Sequence, residues 1–113
     1  MRRIYKLLDA GAWEAARAAG AFTGSGVDLK DGYIHFSDGA QAAETARLHF
    51  KGQVGLLLLT VDADQLGSAL KWEPSRGGAL FPHLYAALPA QAVLEARPLA
   101  LGEDGVPQIG PLP

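Results

Sequence analysis

Apolar and polar positions alternate along this chain in short segments, and their periods predict the elements. Residues 4–8, Ile4-Tyr5-Lys6-Leu7-Leu8, read as a first strand. Residues 12–19 form an alanine-rich helix with Trp13 and Ala16 on its inner face, and Gly20 ends it in the left-handed conformation. Residues 22–30 read as a glycine-bearing loop. The next segment, 33–37, has strand period: Ile34 and Phe36 face one way, Tyr33, His35 and Ser37 the other. The apolar pair is assigned to the core and the polar trio to a cleft wall.

Asp38 stands three residues before Gln41, the spacing of a capping box. A helix is predicted from there to about Phe50, with Ala42, Ala43, Ala46 and Phe50 inward. Residues 54–61 are almost continuously apolar, the pattern of a strand buried on both faces at the centre of a sheet. Residues 62–65 turn the chain, 69–73 are extended, and 75–78 turn again. In 81–85, Phe81, His83 and Tyr85 share one side and Leu84 takes the other. Pro82 has no amide donor, so this segment is expected at a sheet edge or as an extended loop. A last strand, 92–98, leads to a Gly/Pro-rich tail. The resulting fold class is α+β, one domain over residues 1–101, with the tail 102–113 packing loosely on it.

Composition narrows the function. With 113 residues, 49% of them hydrophobic, the chain buries one core without staples. It has no cysteine, which excludes thiol catalysis, a cysteine-zinc site and disulfides. A net charge of −2 provides no footprint for duplex nucleic acid or anionic lipid, although a small nucleotide in a local basic pocket is compatible with it. Met1-Arg2-Arg3 lacks the apolar region of a signal peptide, and the run 54–60 is too short to span a bilayer, so a soluble, cytoplasmic, bacterial-type protein without a membrane partner is expected. Nothing in the pattern sets an oligomeric state.

Chemistry concentrates in Asp31-Gly32-Tyr33-Ile34-His35-Phe36-Ser37 and in residues 71–85, which hold two of the three histidines. His35, Glu73 and His83 are the candidate catalytic residues, because imidazole and carboxylate exchange protons near neutral pH. Tyr33, Ser37, Arg76 and Tyr85 are the candidate ligand contacts. Arg76 beside Gly77 and Gly78 places a planar guanidinium next to backbone donors, a combination suited to phosphate. No metal-ligand spacing recommends a metal site, and no nucleophile elbow surrounds Ser37. Gly24-Ser25-Gly26 is only half of a phosphate-binding loop.

These motifs, with Trp13, Ala16, Gly20, Gln41, Trp72-Glu73-Pro74-Ser75 and Phe81-Pro82-His83-Leu84-Tyr85, resemble the family catalogued as domain of unknown function 952. That family is grouped with the ADP-ribosyltransferase-like fold. The resemblance implies a split, mixed β-sheet with two main helices, a nucleotide-sized cleft between the halves, and NAD or a related nucleotide as cofactor. In that wider group, Gly32-Tyr33-Ile34-His35-Phe36-Ser37 is similar to the strand lining the NAD pocket, and 81–98 to the segment that brings the catalytic glutamate. Here His83 and Tyr85 stand where that acid is expected, the first strand offers neither His nor Arg, and Glu73 supplies a carboxylate from a neighbouring strand. The expected function is binding of a small nucleotide-like or phosphorylated ligand in a polar cleft, with ADP-ribosyl- or phosphotransferase-like chemistry. The alternative is a non-catalytic ligand-sensing or protein-interaction module on the same fold. An enzyme should gather His35, Glu73, His83 and Tyr85 around one concavity.

Overall fold

A computed structural model of the protein describes residues 2–112, and within them every side chain except that of Arg76. Strand β1 (Arg3–Asp9) leads into helix α1 (Ala10–Ala19). Asp9 caps that helix by accepting the Ala12 amide, and Gly20 ends it at φ 89°, a left-handed conformation that glycine adopts without a Cβ clash. A two-residue strand β2 (Ala21–Phe22), a short helix α2 (Val27–Asp31) and strand β3 (Ile34–His35) follow. Helix α3 (Ala42–His49) precedes the long strand β4 (Leu56–Asp62). A 3₁₀ segment then leads to β5 (Leu70–Pro74), β6 (Leu80–Leu84), β7 (Leu88–Pro89) and β8 (Val93–Pro98).

Strand β4 lies between β1 and β8 in one sheet, and β6 lies between β3 and β5 in another, while β2 pairs with β7. Every ladder is antiparallel. The expected mixed sheet is therefore corrected: even strands far apart in the chain, such as β1 and β4 or β3 and β6, return in opposite directions and pair antiparallel. The two larger sheets meet where Ser37, just past β3, exchanges two backbone hydrogen bonds with Tyr5 of β1, each 2.8 Å.

The predicted apolar run is buried on both faces from Leu56 onward, where β4 starts, whereas Val54 ahead of it is exposed. Leu59 and Val61 join Ile4, Leu8, Trp13, Ile34, Phe36 and Leu84 in the larger core between the sheets. On the opposite face Leu56 and Leu58 join Tyr5, Leu7, Ala42, Ala46 and Ile109. Ile109, within the tail, is buried there, and Arg97 donates to its carbonyl. The Cα radius of gyration, 13.1 Å, is that of one compact α+β domain.

Three local expectations are corrected. Residues 22–30 are not all loop, because α2 forms between Gly26 and Gly32. Ala43 faces solvent, since the inward stripe of α3 is the i, i+4 pair Ala42 and Ala46 and the next position turns away from it. The Asp38 carboxylate accepts from the Gln41 amide at 2.9 Å while the Gln41 side chain accepts from the Asp38 amide at 3.0 Å, the reciprocal pair of a capping box. Finally, Pro82 sits in a central strand, not at an edge. Its carbonyl accepts from the Phe36 amide at 3.0 Å, and a strand residue's donor and acceptor point the same way. The donor that Pro82 lacks therefore falls at the end of the two-residue strand β3, where the ladder stops anyway.

Candidate functional site

Register decides which side chains meet. His35 lies opposite His83, and His83 opposite Lys71, across β3, β6 and β5, while Glu73 lies opposite Phe81. With period two, one face of this sheet carries Tyr33, Tyr85, His35, His83, Glu73 and Phe81, and the other carries the apolar Ile34, Leu84 and Leu70 into the core. The polar face predicted from the sequence thus forms one contiguous patch.

The rings pack together. Tyr33 lies 4.2 Å from His83, 4.5 Å from His35 and 5.1 Å from Tyr85 between centroids, and the two imidazoles are 5.5 Å apart, edge to face. Glu73 binds two members of the cluster through one oxygen: His83 Nδ1 at 2.8 Å and the Tyr85 hydroxyl, which donates at 2.7 Å. The hydrogen bonds from Tyr85 and His83 hold the Glu73 carboxyl below its ordinary range. The same hydrogen bond, aided by partial desolvation and the Glu73 charge, pushes the Tyr85 phenol up to about 12. Burial, with the charges of Asp31 and Glu73, raises the Tyr33 phenol.

Behind His35 lies a second polar group that sequence reasoning missed. Asp28 of α2 is buried and accepts from His35 Nδ1 at 2.7 Å, from the His35 amide at 3.0 Å and from the Ser25 amide at 3.3 Å. It also pairs with Lys6 Nζ at 3.1 Å, and Lys6 donates to the His35 carbonyl at 2.9 Å. Asp31, one turn later, meets His35 Nε2 at 2.9 Å. Burial pushes Asp28 up, but the His35 hydrogen bond and the Lys6 charge outweigh it, so the carboxyl lies below its usual range. Burial also lowers the Lys6 ammonium, with Asp28 opposing. The signal for this network was a lysine in the middle of an apolar strand, whose desolvation is offset only beside a buried partner.

The two histidines differ in what they leave open. Both nitrogens of His35 meet carboxylates, whereas His83 is held at Nδ1 alone, and its Nε2 makes no hydrogen bond among the described residues. His83 is buried, yet both imidazoles border a cleft of about 650 Å³ whose walls also include Lys6, Ser37, His49 and Phe81. Ser37 is buried there with its hydroxyl 2.8 Å from that of Thr45, which ties β3 to α3. Tyr33 and Tyr85 border a second hollow of about 280 Å³. Asp28 borders both. Of the candidates read from the sequence, His35, Glu73, His83, Tyr33 and Tyr85 form one cluster. Ser37 lies farther along the cleft, and the Arg76 side chain lies outside the described residues. Among the described residues no group of three His, Asp or Glu side chains is arranged to hold a metal ion, and no helix is long and apolar enough to cross a membrane.

No curated protein matches the chain. Among solved structures, the crystal structure of protein CC0527 from Caulobacter crescentus is 56% identical with a TM-score of 0.93, covering 96% of this chain and 95% of that one. The solution NMR structure of CC0527 is 55% identical with a TM-score of 0.86, covering 97% of this chain and 95% of that one. Residues 7–96 match the family described as "Protein of unknown function (DUF952)", and over that span, most of its length, the chain belongs to this family.

Proposed function

We propose that the larger cleft binds a small nucleotide-like or phosphorylated ligand and that His83, oriented by Glu73, exchanges a proton with it. The observation that carries this reading is the asymmetry of the imidazoles: His83 is fixed at Nδ1 by Glu73 and open at Nε2, while both His35 nitrogens are occupied. A carboxylate behind one ring nitrogen sets the tautomer and steadies the imidazolium that forms when the other nitrogen takes a proton. His35 acts on the ligand through Asp28 and Tyr33, as a positioning residue. Tyr85 fixes Glu73, and Ser37 contacts the ligand.

The ligand class follows from size and lining. A cleft of about 650 Å³ falls within the range of small-molecule sites, and its walls include Phe50 for a flat ring and His49 and His83 for an anionic group. If the ADP-ribosyltransferase-like grouping implied by the motifs holds, the ligand is NAD or a close relative, and the reaction is a transfer from it.

A thermal-shift screen with NAD, ADP-ribose, nucleoside monophosphates and 5′-phosphorylated RNA ends tests the binding. A ligand at a hundred times its Kd stabilises the fold by about 2.7 kcal/mol. His83→Gln should then abolish turnover while retaining that stabilisation. Absence of a shift with every compound would overturn the reading; binding without turnover would favour the ligand-sensing module instead.

A further inference from the structure

Helix α2 is fastened by charge rather than by packing. Its one buried side chain is that of Asp28, while Val27 and Leu29 are 56% and 67% exposed, so little apolar burial holds it to the sheets. Asp28 and Asp31, one helical turn apart and therefore on one face, meet the two ring nitrogens of His35 at 2.7 Å and 2.9 Å. Gly26, Val27 and Asp28 meanwhile form part of the wall of the larger cleft. Whatever loosens the grip of His35 on α2 thus loosens that wall.

The grip depends on a proton. An ionised carboxylate only accepts hydrogen bonds and a neutral imidazole has one N–H, so both bonds form together only when His35 is an imidazolium or one carboxyl is protonated. Asp28 is kept ionised by Lys6 at 3.1 Å and by the amides of His35 and Ser25, and the charge of Asp31, 36% exposed, is solvated by water. The positive charge therefore belongs on His35. The other groups facing its ring leave that count unchanged: Lys6 donates to the His35 backbone carbonyl, Tyr33 packs at 4.5 Å, and His83 meets it edge to face at 5.5 Å with its own Nδ1 held by Glu73. Loss of one proton leaves a single N–H between two carboxylates. Asp28 keeps it, because its side chain is only 2% exposed and a lost partner there costs more than at Asp31, where water substitutes. The bare Nε2 lone pair then faces an anion, and Asp31 turns to solvent.

We propose that His35 is a proton-operated latch on α2: as the imidazolium it clasps Asp28 and Asp31 together, and as the neutral ring it holds Asp28 alone and loosens the helix that walls the larger cleft. Acid fastens this wall and base releases it. The latch is a property of the fold and does not rest on what the cleft binds.

Nuclear magnetic resonance of the unliganded protein from about pH 5 to about pH 8, the span over which imidazoles change charge, tests the proposal. The ring nitrogen shifts of His35 should pass from both nitrogens protonated to Nδ1 alone. Over the same titration the amides of Lys30 and Gly32, which donate to the carbonyls of Gly26 and Asp28, should lose protection against hydrogen exchange roughly fivefold after correction for the intrinsic rate, the equivalent of one part-exposed ion pair. Asp31→Asn should abolish that dependence, because an amide accepts from a protonated Nε2 and donates to a bare one. A ring that keeps one protonation state throughout, a neutral ring protonated at Nε2, protection that does not change, or the same loss in Asp31→Asn would each overturn the latch. The first three are read on the unaltered chain, so the outcome does not depend on the variant folding. No ligand enters the experiment, so a failure here leaves the reading of the larger cleft standing.

Discussion

Replacing Asp28 by Asn tests the energetic centre of this fold. The substitution is nearly isosteric, yet it removes the anion that faces Lys6 at 3.1 Å and His35 Nδ1 at 2.7 Å. The Lys6 side chain is only 9% exposed, so its ammonium would lose its counter-charge and keep only neutral acceptors, the His35 carbonyl at 2.9 Å and the new amide oxygen. An unpaired charge left in such a place costs about 3–5 kcal/mol. Lys6→Met is the milder perturbation. Asp28 retains the His35 and Ser25 amides and the His35 ring, so about 1–3 kcal/mol is expected.

The double variant decides between a coupled pair and two independent losses. Once the ammonium is gone, an amide in place of the Asp28 carboxylate strands no buried charge, so the double variant should be no less stable than Asp28→Asn alone. Urea unfolding at pH 7, followed by the fluorescence of buried Trp13, reads all four proteins if the slope on denaturant stays constant. Additivity of the single losses within about 0.5 kcal/mol would refute the coupling. A loss below about 1 kcal/mol for Asp28→Asn would show that water reaches Lys6.

Acid should act through the same carboxyl. Asp28 lies lower in the folded than in the unfolded chain, so its contribution is present above the unfolded value of about 3.9 and is lost as pH falls through the folded one; stability measured down to pH 2 should drop, with a shallower slope in Asp28→Asn. Tyr85 behaves oppositely: its folded value of about 12 lies above the unfolded one, so its contribution is lost as pH rises from about 10, and ultraviolet titration should find a late-ionising tyrosine that Tyr85→Phe removes. Leu59→Ala, at a fully buried position of β4, should cost about 2–5 kcal/mol in urea unfolding, and a loss under about 1 kcal/mol would deny that strand its central place. Gly20→Ala meets no atom but must hold φ 89°, so it should cost about 1 kcal/mol through backbone strain alone, and an unchanged midpoint would contradict that.

What the sequence disclosed was whatever a local period encodes. Strands β1 and β4, the inner face of α1 and the Asp38–Gln41 capping box depend on neighbours a few residues apart, and each could be read directly. The polar face of the second sheet was legible too, because alternation put Tyr33 with His35, and His83 with Tyr85, before the register joined them. The partners of those groups were not. Asp28 lies in a segment with no period, and only the tertiary approach of Lys6 and His35 gives it a role. Pro82 misled for a related reason: the rule that proline avoids central strands concerns a missing donor, and only the geometry shows that this donor points past the end of β3. Helix α2 has one buried residue, Asp28, and no apolar stripe to announce it.

The pairing of β1 with β4 also bears on how the molecule is made. Arg3 pairs with Asp62 and Asp9 with Leu56, so β1 has no neighbour in its own sheet until residues 56–62 have been made. His35 likewise waits for His83. Loops of this length must close before their contacts are gained, which slows folding relative to helical domains of equal size. Meanwhile Leu56-Leu57-Leu58-Leu59, destined for burial on both faces, stays exposed as an edge open on either side until β1 and β8 arrive. A nascent chain halted shortly after Asp62 would present this strand without β8, making that interval of synthesis the one in which the protein most needs a chaperone.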